Sequence, residues 1–111
     1  MGAREFSIKR FGFPTRAIEN PVVAQVGVDA VTVLQNNPDR VFWLIINLSD
    51  NTIYVAFKSD VSATKGIRLD ANGGFASACV DEDGELPAYE VFAMATGAAS
   101  AIYVLAIEKL E

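Results

Sequence analysis

A chain of 111 residues sits near the commonest size for one domain and has no room for a second independent core. It is 51% apolar, its mean hydropathy is +0.27 and its net charge is −5, so the acidic body repels phosphate backbones and nucleic acid is excluded as a general partner. Histidine is absent, which removes the commonest general base, the usual partner of Ser and Cys nucleophiles and the commonest metal ligand.

Along the chain, residues 1–21 differ from the rest. Phe6, Phe11 and Phe13 are interleaved with Arg4, Lys9, Arg10 and Arg16, while Pro14 and Pro21 deny regular pairing. Residues 1–20 carry a net charge of +2 and residues 21–111 carry −7. The segment reads as a basic, aromatic N-terminal arm (1–21) ahead of one domain (22–111). Residues 1–10 lack an apolar stretch and do not read as an export signal.

From residue 22 onward, short β-branched and aromatic runs alternate with clusters of Asn, Asp, Ser, Gly and Pro. The predicted strands are Val22–Val26, Val28–Gln35, Val41–Leu48, Thr52–Lys58, Gly66–Leu69, Gly74–Val80, Ala88–Ala95 and Ala101–Ile107. This pace of strands and turns predicts an all-β fold, a small β-sandwich or barrel of about 7–8 mostly antiparallel strands. In the third run Phe42, Leu44 and Ile46 share one face and Val41, Trp43 and Ile45 the other, so both faces are apolar. That strand is expected to be central, or to turn one face to a partner.

The segment Asn47–Thr52 is expected to close a hairpin between the third and fourth runs. Asn72-Gly73-Gly74, Asp83-Gly84 and Thr96-Gly97 supply further turns, and the whole reads as a meander of hairpins with room for one crossover. The Ala-rich stretch from Phe92 to Ala101 is read as strand, turn, strand, because Ile102-Tyr103-Val104 restores strand character.

Few residues point to chemistry. The lone Cys79 lies among small residues and is expected to be a buried structural thiol. Asp81-Glu82-Asp83-Gly84-Glu85 lacks the spacing of a calcium loop and reads as a solvated turn. There is no phosphate-binding glycine loop and no cysteine pair, and apolar runs such as Val41 to Ile46 fall far short of the roughly 20 residues a bilayer requires. No catalytic residue, cofactor, metal or membrane partner is therefore expected. The residues expected to bind a protein partner are Phe6, Arg10, Phe11, Phe13, Arg16, Trp43 and Tyr54, because the apolar content exceeds what so small an interior can hide. Trp43, Tyr54, Tyr89 and Tyr103 also allow an alternative, a ring platform for carbohydrate or a receptor.

Three successions of residues carry a resemblance. Asn36-Asn37-Pro38-Asp39-Arg40, the run Asn47-Leu48-Ser49 through Ile53-Tyr54-Val55, and Gly66-Ile67-Arg68-Leu69 resemble the Asn-Pro-x-Arg, Asn-x-Ser-x-x-x-Ile-Tyr-Val and Gly-Ile-x-Leu order of small virion-associated structural proteins of tailed phages. The likeness covers about residues 33–107, with a closing strand pair ending at Glu108; the arm and the Asp81–Pro87 turn lie outside it. It implies a non-enzymatic β-sandwich that decorates or cements a capsid, or serves as a small head or tail component, within a virion assembled in the host cytoplasm. The implied partners are the major capsid protein or other virion subunits, and a homo-oligomer, a trimer by analogy.

Overall fold

The computed structural model describes residues 14–109. In chain order the strands are β1 (Thr15–Glu19), β2 (Gln25–Val26), β3 (Val31–Leu34), β4 (Arg40–Asn47), β5 (Ile53–Ala56), β6 (Ile67–Leu69), β7 (Phe75–Cys79), β8 (Val91–Ala95) and β9 (Ser100–Lys109). One helical turn, Val80–Asp83, and one 3-10 turn, Leu86–Ala88, lie between β7 and β8. The larger sheet is ordered β1–β9–β4–β7, with β2 also paired to β9, and the smaller sheet β3–β8–β5–β6. Every pairing is antiparallel, and the two sheets form a β-sandwich rather than a closed barrel.

Each predicted run coincides with a strand; six are shorter than predicted, β4 is shifted by one residue to Arg40–Asn47, and β9 extends past its run at both ends. The core lies between the sheets. Trp43, Ile45, Val104 and Ala106 of the larger sheet pack with Val33, Leu34, Ile53, Val55, Leu69 and Val91 of the smaller one. Trp43 stands in register with Ala78 on one side and Ala106 on the other, so two methyl side chains make room for the indole ring.

Thr15–Glu19, within the segment read as an arm, forms the edge of the larger sheet, with Thr15 opposite Lys109 and Glu19 opposite Leu105. Pro14 and Pro21 bracket this strand instead of preventing it, since an edge strand tolerates a missing donor at its ends. Asn20, at φ 43°, donates its N–H to the Val104 carbonyl (2.7 Å) and accepts the Val104 N–H on its side chain (2.9 Å). Its left-handed backbone lets the chain bulge and rejoin β9 at β2.

The connections differ from a meander. β4 and β5 belong to different sheets, so Asn47–Thr52 arches from one sheet to the other and is not a hairpin. The Asn72-Gly73-Gly74 and Thr96-Gly97 turns likewise carry the chain between sheets, and β5–β6 is the one pairing of consecutive described strands. An amphipathic strand, a turn and a second amphipathic strand satisfy either arrangement; what selects the arch is the buried polar cluster described next.

Candidate partner-binding faces

Two polar clusters close the ends of β4. At one end Asn47, fully buried, donates its side-chain amide to the carbonyls of Asn51 (2.6 Å), Leu69 (3.1 Å) and Asp70 (3.2 Å). Its side-chain oxygen accepts from the Ser49 N–H (2.9 Å) and hydroxyl (2.7 Å). Asn51 in turn donates to the buried Ser100 hydroxyl (3.0 Å). One side chain thus ties the β4–β5 arch to the end of β6, which a hairpin would leave apart.

At the other end Arg40, 6% exposed, donates to the carbonyls of Gln35 (2.7 Å), Pro87 (3.2 Å) and Tyr89 (3.4 Å). Burial pushes its guanidinium down from the ordinary value and the nearby Glu108 carboxylate pushes it back up. Glu108 accepts from Asn37 (3.2 Å) and Arg16 (3.2 Å), and Asn37 also accepts the Asp39 N–H (2.9 Å). A cavity of about 540 Å³ opens here, lined by Asn36, Pro38, Arg40, Val41, Val80 and Tyr89 among others. Arg40 does not serve it as an anion binder: its Nη donors go to carbonyls and its Nε is buried without a partner. The motif residues Asn37, Arg40, Asn47 and Ser49, and the closing Glu108, are therefore fold clamps.

The sheet faces remain. β4 sends Trp43 and Ile45 inward, and Phe42, Leu44 and Ile46 outward; β9 sends Ile102, Val104 and Ala106 inward, and Tyr103, Leu105 and Ile107 outward. Register places Phe42 beside Ile107, Leu44 beside Leu105 and Ile46 beside Tyr103. These six side chains are half-buried by one another, and Phe75, next to Ile46, is 66% exposed. An antiparallel sheet with one free face ordinarily carries polar residues there. Here the free face is apolar, and no third layer of described residues covers it. The outer face of the smaller sheet is more mixed, with Thr32, Arg68 and Tyr54 among Phe92, Met94 and Ala56.

Of the residues expected to meet a partner, Phe6, Arg10, Phe11 and Phe13 lie outside the described residues. Arg16 is exposed on β1 and paired to Glu108 of its own domain. Tyr54 is half-buried on the outer face of the smaller sheet. Trp43 is 1% exposed and tilted against Phe57 (ring centroids 6.4 Å apart), so no partner or sugar ring can reach it; its strand neighbours Phe42, Leu44 and Ile46 hold the outer face instead. Their alternation was visible in the sequence, but which of the two apolar faces stays uncovered was not. Cys79, expected to be buried, is half-buried and stands beside Phe42 on the outer face. The acidic turn folds as the helical turn, and Asp83 accepts the Cys79 N–H (2.9 Å). Among the described residues no group of three or more Cys, Asp or Glu is placed to hold a metal ion, and no helix is long and apolar enough to cross a membrane.

No protein-family model matches the chain, and no curated protein matches it. Among solved structures it is similar to the tobacco streak virus coat protein, with a TM-score of 0.37, 14% sequence identity and 86% of each chain covered. A likeness at that score carries no inference about function.

Proposed function

We propose that this chain is a non-enzymatic structural accessory protein of a virion, decorating or cementing a capsid or serving as a small head or tail component. The observation that carries the reading is the outer face of the larger sheet, where Phe42, Leu44, Ile46, Leu105 and Ile107 form an apolar surface that no other layer of described residues covers. The motif resemblance over about residues 33–107 supplies the virion setting, and the clamps at Arg40 and Asn47 supply the stiffness a joint between subunits requires. Each of these side chains is already half-buried, so covering it gains roughly half of the 1.5–3 kcal/mol of full burial. Many copies on a repeating lattice multiply such modest contacts. The partners are the major capsid protein or other virion subunits, together with further copies of this chain.

The test is cosedimentation of the purified protein with viral particles from the same source. The unaltered chain is expected to pellet with particles, and Leu44→Lys, folded by circular dichroism, to stay in the supernatant. Equal occupancy by both, or no binding by either, removes the reading.

A further inference from the structure

Strand register lays out the outer face of the larger sheet as three rows. Ala17, Ile107, Phe42 and Cys79 stand side by side in the first; Glu19, Leu105, Leu44 and Ser77 in the second; Tyr103, Ile46 and Phe75 in the third. Thirteen residues precede Pro14, and the chain joins this sheet at one corner of the face, where Thr15 pairs with Lys109 beyond the first row.

Those thirteen residues match the face in pattern and in charge. In an extended chain Phe6 and Ile8 fall on one side of the backbone and Phe11 and Phe13 on the other, so each pair offers two apolar side chains, two residues apart, to an apolar face. Arg4, Lys9 and Arg10 against Glu5 give the segment a net charge of +2, while the remainder of the chain carries −7. Glu19 on β1 accepts from Tyr103, and Asp83, just after β7, accepts the Cys79 N–H; each carboxylate keeps acceptor capacity for those cations.

Length lets the segment span the whole face, and the direction of β1 favours the face of a neighbour. Thirteen extended residues span about 43 Å at about 3.3 Å each. Crossing from β1 to β7 takes three strand spacings, about 14 Å at about 4.8 Å each. Traced backward from Glu19, β1 runs past the second and first rows to Thr15, opposite Lys109, so at Pro14 the described chain points away from its own face. We propose that residues 1–13 of a second copy lie across the outer face of the larger sheet, so that copies of this chain assemble by exchanging arms. This rests on the docking reading only for the choice of face; it names the occupant.

Cys79, the one cysteine of the chain, reports from the first row. Full-length chains of two kinds are mixed and oxidised: the unaltered sequence, and a Phe11→Cys, Cys79→Ser variant carrying a size tag. A disulfide between the two kinds is expected to form at least tenfold faster than with an Asp29→Cys, Cys79→Ser control, whose thiol lies on the loop before β3. The unaltered chain is expected to have a solution mass above the 11.9 kDa of one copy, and full-length Phe6→Ser, Phe11→Ser to fall to that mass while keeping its circular dichroism. A monomeric unaltered chain, or no excess over the control, overturns the proposal. So does a Phe11→Cys chain retaining Cys79 that closes its disulfide within one molecule. Arm exchange in a protein that ignores viral particles would leave this inference standing and remove the virion reading.

Discussion

At the residue scale, Trp43 shows how a polar atom is tolerated in an apolar core. Its indole Nε1 is buried without a hydrogen-bond partner, a cost of about 1–3 kcal/mol offset by the packing of the ring against Phe57, Ala78 and Ala106. Trp43→Phe is therefore expected to cost less than about 2 kcal/mol, since it removes the orphan donor along with the volume. Trp43→Ala is expected to cost about 3–5 kcal/mol, and urea denaturation of both variants distinguishes them. Tyr103 makes a different point. Its hydroxyl donates to Glu19 at 2.6 Å, and that bond first, then partial desolvation and the carboxylate charge, raises the phenol above its ordinary value. A group whose folded value is raised adds stability that is fully present below its unfolded value, about 10, and lost as pH climbs through the folded value. Glu19→Gln is expected to bring the phenolate titration of Tyr103, followed by ultraviolet absorbance, back down.

At the scale of elements, the eight predicted strands were legible because alternation and turn residues mark where a strand runs and which side chains share a face. The hairpin expected at Asn47–Thr52 was misread for a physical reason. Turn chemistry says that the chain reverses, but it does not say whether the returning strand pairs in the same sheet or crosses to the other. Asn47 decides this by binding Asn51, Leu69 and Asp70 carbonyls at once. Asn47→Ala strands those acceptors and the Ser49 donors, and is expected to cost at least about 3 kcal/mol at about 1–3 kcal/mol for each buried unsatisfied group. Thermal unfolding checks it, and a loss under 1 kcal/mol would show that the arch holds without this residue. β1 was missed because Pro14 and Pro21 read as breakers, whereas they flank an edge strand completed by the Asn20 bulge.

At the scale of the whole molecule, neighbouring residues of β4 belong to different environments. Ile45 is fully buried between the sheets and Leu44 faces outward. Ile45→Lys is expected to prevent folding, since it buries an unpaired charge. Leu44→Lys is expected to cost only about 1 kcal/mol, the burial a half-buried leucine has to lose, while altering assembly; circular dichroism melts and solution mass measure the two effects separately. If Leu44→Lys also unfolds the chain, the face is covered from within and the docking surface disappears.

From the sequence alone came the all-β class, the positions of eight strands, the apolar character of both faces of β4 and the contrast in composition between a basic, aromatic N-terminal segment and an acidic remainder. Those are local quantities, carried by periodicity, turn residues and composition. Only the tertiary structure decided that Trp43 faces inward and Phe42, Leu44 and Ile46 outward, that Cys79 stands beside Phe42, and that the motif residues Asn37, Arg40 and Asn47 are clamps. A strand pattern is symmetric under exchange of its two faces when both are apolar, and what breaks that symmetry is which sheet packs on which side.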